Sequence, residues 1–261
     1  MHALVDIHAH VLPGIDDGPP DLAQSLRLLH VAERSGIDTL AATPHLRRDF
    51  PTVRVEELAR RVADLRSAAK RAGLGVRVVG GAEVSLSWAL EASKEQLRLA
   101  SFDQGGRDLL IETPTSGLYG IEHALFTVGG RGFRITLAHP ERAAAFDQAE
   151  VRLAQLAEQG VLLQVNADSL LGSAGPGVRR LARRLCRQGI AHALASDAHR
   201  GAGWRPVDRL ALGAEALARL VGEQRALWMT QAVPAAILAG EPLPPPPVKG
   251  AWRRGLSWRR R

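Results

Sequence analysis

Two histidines stand two residues apart in DIHAHVLPGIDDGP, His8 and His10, and the spacing returns late in the chain as Asp197 and His199 in SDAH. On a strand, residues two apart share a face roughly 6 to 7 Å from one another, so each pair can offer two ligands to one cation. Asp16 and Asp17 follow the first pair in a glycine-flanked loop, where adjacent carboxylates repel unless a cation or a donor compensates. Between the two pairs, single residues of the same types close short apolar runs: His45 in TPH, Glu83 in GGAEV, Glu112 in LLIET and His139 in AHPER. Each has a structural alternative, as a satisfied polar group at a strand end, but Glu112 directly after three aliphatics is costly to bury unless paired or metal-bound.

Taken with one acid of that pair, these residues supply nine nitrogen and oxygen donors. That is too many for one ion, whose protein ligands seldom exceed about six, so two or three clustered divalent cations are expected. Carboxylate and imidazole without thiolate suit manganese, iron or zinc. Such clusters activate water and clamp the oxygens of an in-line displacement, the chemistry of phosphoester hydrolysis. Arg142 in HPER and Arg205 in GWRP stand close in sequence to these donors, and their planar forks suit phosphate oxygens.

Distant donors meet only if the fold gathers them. Apolar runs at residues 3–7, 37–42, 76–82, 108–111, 133–138, 161–165 and 190–195 alternate with helix-period segments, predicting seven strands in a β/α rhythm. The first helix is expected over 21–35 with Leu22, Leu26 and Leu29 on its apolar face. The next is expected to open at Thr52 as N-cap and to bury Val55, Leu58, Val62, Leu65 and Ala69. Nearly every strand ends in a ligand-type residue, Asn166 included. A barrel brings all strand C-termini to one rim, whereas an open sheet spreads them over about 30 Å, so a distorted TIM-like α/β barrel of seven strands is predicted.

With 261 residues, 46% hydrophobic and 23% charged, the chain suits one large domain, here residues 1–240. No apolar run approaches the ~20 residues of a membrane-spanning helix and no secretory signal is apparent, so a cytoplasmic protein is expected. Of the formal charge of +7, six units fall in residues 249–261, which leaves about +1 for the rest and no general demand for a nucleic-acid partner. Residues 241–261 read as a proline-rich spacer and a disordered basic tail, whose Trp252 and Trp258 among arginines suit an anionic membrane surface or an acidic partner.

DIHAHVLPGIDDGP, TPH, GGAEV, LLIET, AHPER and SDAH, in that order over about residues 5–206, resemble the polymerase and histidinol phosphatase (PHP) superfamily. More narrowly they resemble its metal-dependent tyrosine-protein phosphatases of bacterial capsule and exopolysaccharide synthesis, the CpsB/CapC type, LPGIDDGP being the most specific piece. The resemblance implies the PHP fold and manganese as cofactor. It also implies one ion held by His8, His10, Glu83 and Asp197, with Glu83 bridging to a second completed by Glu112 and His139. Asp17, His45 and His199 would hold the third, and Arg142 and Arg205 would grip the phosphate. An aromatic follows HPER in the family's common pattern, whereas Ala143 stands here.

The implied activity is hydrolysis of phosphotyrosine without a covalent phosphoenzyme, and the implied partner is a membrane-associated tyrosine autokinase. Cys186, the single cysteine, has His192 rather than arginine six residues on, so a cysteine-dependent phosphatase loop is absent. Another PHP phosphoesterase acting on histidinol phosphate or a small phosphomonoester is the first alternative. A catalytically silent module binding through the basic tail is the second.

Overall fold

The computed structural model describes residues 3–114, 120–143 and 150–247. The basic tail expected at 249–261 lies outside them. Strands β1 (Leu4–Ala9), β2 (Ile37–Ala42), β3 (His45–Leu46), β4 (Arg77–Gly80), β5 (Glu83–Ser85), β6 (Asp108–Glu112), β7 (Arg134–Ala138), β8 (Leu162–Asn166) and β9 (Ala193–Ala195) alternate with helices in an α/β architecture. Every pairing is parallel, in one sheet of order β1-β2-β4 and a second of order β3-β5-β6-β7-β8-β9.

Each of the seven expected strand regions holds a strand, and the described residues add two short ones, β3 and β5, just beyond the second and third. The second ends at Thr43–Pro44, where proline has no N–H to continue a ladder. The Thr43 hydroxyl takes over locally, donating to the Ala9 carbonyl and accepting from the Ala9 N–H. The third ends at Gly81–Ala82, and here the absent side chain is required, because a Cβ on Gly81 would stand 2.8 Å from the Phe102 ring. Each break bends the chain from the first sheet into the second, and β3 and β5 then pair with His45 opposite Glu83.

First and last strands meet through an isolated parallel bridge rather than a ladder. The Asp197 N–H donates to the His8 carbonyl, and the His10 N–H to the Ala198 carbonyl. Asp6, fully buried, reinforces this seam by accepting from the Ser196 N–H and hydroxyl and from the His8 N–H. The result is the distorted barrel, seamed at β1 and β9.

Helices α1 (Leu22–Arg34), α2 (Leu58–Arg71), α3 (Leu86–Glu91), α4 (Lys94–Ala100), α5 (Ile121–Gly129) and α6 (Glu150–Glu158) lie between strands. Asp21 caps α1 by accepting from the Gln24 N–H. Its buried face is Ser25, Leu28, Leu29 and Ala32, with Leu22 exposed, so the face is rotated from the expected one. The expected N-cap role of Thr52 is also corrected: a short 3₁₀ turn, Val55–Glu57, precedes α2, and the Thr52 hydroxyl donates instead to the Ile15 carbonyl. The buried residues of α2 are Leu58, Val62, Leu65, Ala68 and Ala69, which with buried Val55 of the preceding turn contain the expected stripe.

Helices α7 (Ala167–Leu171), α8 (Pro176–Gln188), α9 (Arg209–Val221), α10 (Glu223–Leu227) and α11 (Val233–Ala239) complete the shell, with a π-helical turn at Trp228–Ala232. Residues 241–247 then run extended along the body, where the Trp228 indole N–H donates to the Pro244 carbonyl. Among the described residues no helix is long and apolar enough to cross a membrane.

Candidate functional site

The nine expected donors converge on one rim, where β1, β6, β7 and β9 end and β3 and β5 begin. Their ligand atoms fall into four overlapping groups, each within 4.8 Å: His10, Asp17, His45 and His199; His8, His10 and Asp197; His8, Glu83 and His139; His45, Glu83 and Glu112. Strand register accounts for the gathering, since β5 and β6 place Ser85 beside Glu112, and His139 and Asp197 stand one and two residues beyond β7 and β9.

Glu83 is the hub. Fully buried, its Oε2 lies 3.3 Å from Nε2 of both His8 and His10 and 2.9 Å from Nδ1 of His45, while Oε1 accepts from His139 Nε2 at 2.8 Å. Burial alone would raise its pKa, but His8 and the other imidazoles outweigh that and hold the carboxyl well below the usual range. Glu112 moves the opposite way, pushed up by burial and then by the Glu83 charge. Burial also pulls His199 down to about 4, with the neighbouring His10 charge adding to it.

The imidazoles are aimed rather than merely present. His8 Nδ1 donates to Gln164 Oε1 at 2.9 Å, and His10 Nδ1 donates to Asp16 Oδ2 at 2.7 Å, tautomers assigned from these partners. Each ring therefore turns Nε2 toward the cluster, the arrangement that outer hydrogen bonds impose on metal-binding histidines. His8 Nε2, His10 Nε2, His45 Nδ1, Asp17 Oδ1 and Glu83 Oε2 are all buried without a hydrogen-bond partner. Such groups are expensive unless something else satisfies them, and divalent cations shared among the overlapping donor groups would satisfy them. The residues present thus fit a cluster of divalent ions.

Arg142 and Arg205 reach this cluster through Asp197. Arg142 Nη1 donates to Asp197 Oδ2 at 2.8 Å, and Arg205 Nη1 lies 3.2 and 3.3 Å from the two carboxylate oxygens. Asn166 donates to the same carboxylate and accepts from Gln164, so one chain of hydrogen bonds joins Asp197 to His8. His139, Asp197 and Arg205 all have positive φ, at 39°, 52° and 45°. Three site residues in a left-handed backbone, a conformation costing about 1–3 kcal/mol each, show that side-chain placement here overrides backbone preference.

Three residues at the site, Gln164, Arg47 and Trp204, escaped sequence reasoning. Gln164 orients the His8 ring as Asp16 of the acidic pair orients His10, and the signal for Gln164 was present as a lone amide inside the apolar run LLQVN. Arg47 donates to Glu112 Oε1 at 2.7 Å and also pairs with Asp49, which nothing in its spacing announces. Trp204, 54% exposed, sets its ring edge-on to His199 with centroids 4.7 Å apart and lies under the Arg205 guanidinium.

Residues outside the site also find their places. His30 is exposed, and His192 Nδ1 accepts from the Leu163 N–H at the opposite end of the barrel. Cys186 is buried in α8, and burial pushes its thiol up to about 12, far from a nucleophilic thiolate.

The family described as "Capsular polysaccharide synthesis, CpsB/CapC" matches residues 4–239. The chain is 29% identical over 197 residues to a putative tyrosine-protein phosphatase CapC of Staphylococcus aureus, covering 75% of this chain and 77% of that protein. It is equally 29% identical over 197 residues, with the same coverage, to the tyrosine-protein phosphatase YwqE of Bacillus subtilis (strain 168). Among solved structures it resembles one from a study of YwqE from B. subtilis and CpsB from Streptococcus pneumoniae, described there as unique metal-dependent tyrosine phosphatases. The TM-score is 0.82 at 26% identity, over 94% of this chain and 100% of that one.

Proposed function

The chain belongs to the capsular polysaccharide synthesis CpsB/CapC family, and from that premise we propose that it is a metal-dependent protein-tyrosine phosphatase. One observation carries the reading: five buried donor atoms without hydrogen-bond partners converge beside two arginines that share one carboxylate. His8, His10, Glu83 and Asp197 would hold one ion, Glu83 reaching a second with Glu112 and His139, and Asp17, His45 and His199 a third. Manganese is the proposed metal, with iron or zinc accepted by the same donors. Bound there, divalent ions supply Lewis-acid charge stabilisation and an acidified water.

The protein's own part is positioning. Arg142 and Arg205 turn their forks to phosphoryl oxygens, neutralising charge that builds as the bond to the leaving group breaks. Asp16 and Gln164 keep the His10 and His8 rings fixed, so the donors need no rearrangement during turnover. A phenolate leaves with a conjugate acid near pKa ~10, so no strong general acid is required. The substrate we propose is a phosphotyrosine protein of polysaccharide synthesis, a membrane-associated tyrosine autokinase, met by a cytoplasmic enzyme. Residues 1–240 are taken as the phosphatase domain and 241–261 as its tail.

The test is metal-stripped protein with manganese restored, assayed on a phosphotyrosine peptide and on histidinol phosphate, with thermal unfolding followed in parallel. Manganese should raise the unfolding temperature and restore peptide hydrolysis in the wild type, and do neither in a His8→Ala, His10→Ala double variant. Preferential histidinol phosphate turnover would assign the other phosphoesterase activity. Metal binding with no turnover of either substrate would leave a binding module.

A further inference from the structure

Two cavities share a wall at the rim. One, of about 230 Å³, is lined by the candidate metal donors Asp17, His45, Glu83, Glu112, His139 and Asp197. The other, of about 360 Å³, lies beyond Arg142 and Arg205 and is bounded by Trp204, Ser173, Ala174, Asp168 and Arg209. Arg142, Asp197 and Arg205 line both. A phosphoryl group gripped by the two arginines therefore faces the donor cluster on one side and the larger cavity on the other. In an in-line displacement the leaving group departs on the side opposite the nucleophile, and here that side is the larger cavity.

Its size falls within the ~300–1,000 Å³ of small-molecule clefts. Among the described residues lining the two cavities, Trp204 is the one phenylalanine, tyrosine or tryptophan, and Ala143 on the cation side offers only a methyl. The indole is held from behind, edge-on to buried His199 and against the Arg205 guanidinium, 4.9 Å from its ring centroid. It is thus a fixed apolar wall at the mouth of an otherwise polar cavity, with more than half its surface open. Aromatic pairs prefer offset or edge-on contact at 4.5–7 Å between centroids, and such a contact favours an aryl group over an alkyl chain.

We propose that the cavity between Trp204 and the Ser173–Ala174 turn is the subsite for the aromatic ring of an aryl phosphate, with Trp204 the residue that sets preference for aryl over alkyl phosphomonoesters. This rests on the phosphatase reading and deepens it by assigning the leaving-group side of the site. The ring lies against the indole while Ser173, exposed on the opposite wall, remains available to the peptide around it.

The test compares manganese-loaded wild type with Trp204→Ala and Trp204→Phe on two substrate pairs. Phenyl phosphate against glycerol phosphate reads the aryl preference without a protein substrate, and phosphotyrosine against phosphoserine peptides of one sequence reads it in context. Calorimetric binding of a non-hydrolysable phosphonomethyl-phenylalanine peptide adds a readout independent of turnover. Trp204→Ala should lower kcat/KM for the aryl substrates about tenfold, mainly through KM, and weaken phosphonate binding by a similar factor, the worth of one aromatic contact. Alkyl turnover should stay within about twofold, and Trp204→Phe should recover most of the aryl loss. Equal losses on aryl and alkyl substrates would show Trp204 acting only through Arg205, and no loss on either would place the ring elsewhere; both overturn the subsite. Wild type that hydrolyses phenyl phosphate but not the phosphotyrosine peptide would refute the protein-phosphatase reading while the aryl preference is still scored.

Discussion

Asp108 and Glu112 stand at opposite ends of β6, four residues apart and on one face, yet their surroundings differ in kind. At the N-terminal end, Arg134 of β7 grips Asp108 with both arms of its fork, at 2.5 and 2.9 Å. The rest of that guanidinium donates to the carbonyls of Glu241 and Ala236, so the pair also fastens α11 and the segment after it. The side-chain polar atoms of this pair all have partners. At the C-terminal end, Glu112 accepts from a half-exposed arginine, Glu83 is ringed by imidazoles, and several buried donor atoms have no hydrogen-bond partner. The bottom of the barrel spends its polar groups on holding elements together, whereas the top holds polar groups ready for something from outside. That division is the one expected of barrels whose chemistry sits at the strand C-termini.

The sharpest way to break this contrast is to alter the two ends separately. Glu83→Gln should cost at least about a thousandfold in kcat/KM on a phosphotyrosine peptide while circular dichroism and the urea midpoint, both measured on metal-free protein, stay near wild type. Unfolding instead would make the top a structural network like the bottom. Arg134→Ala leaves the buried Asp108 carboxylate unpaired, so it should cost about 3–5 kcal/mol of stability, read by denaturant unfolding, with specific activity of the remaining folded protein unchanged.

His192 offers a milder test at the bottom. Burial, with the Arg225 charge added, pulls its pKa from 6.5 down to about 4, and its Nδ1 must remain unprotonated to accept from Leu163. The unfolded chain then takes up this proton first, so the contribution is intact above pH ~6.5 and is lost as pH falls from there toward ~4. A His192→Gln variant should show a shallower decline of stability over that window than wild type, by up to about 3 kcal/mol. An unchanged slope would remove His192 from the account. The smallest effect concerns Cys186: a Cys186→Ala variant should keep activity within about twofold, and native protein should resist alkylation, because the buried thiol is held at about 12. Inactivation by a thiol reagent on the native protein would contradict a non-cysteine mechanism.

Much of the site was legible because strand chemistry is local. A period of two puts His8 with His10, and an apolar run followed by a charged or imidazole residue marks a strand terminus, so residue type and place along the chain singled out eight candidate donors, and the resemblance chose Asp17 over Asp16 as the ninth. The same logic located seven strand regions. It missed β3 and β5, because strands of two and three residues carry too little period to register, and the need for glycine at 81 arises from Phe102, which packs there only in the folded protein. It also placed the α1 face a step away, since Leu22 is apolar by type but meets no partner.

What the sequence by itself determined was the inventory: a β/α chain, nine oxygen and nitrogen donors at strand ends, two arginines among them, and a cysteine without a phosphatase loop. Only the tertiary structure decided which donor faces which, that Gln164 aims His8 from 156 positions away, that Arg47 reaches Glu112, and that Trp204 stands beside Arg205 at the edge of a second cavity. The physical reason is range. Backbone period and burial preference act over a few residues, whereas a hydrogen bond or a stacking contact depends on where distant strands bring two side chains to within a few ångströms, and no local pattern carries that distance.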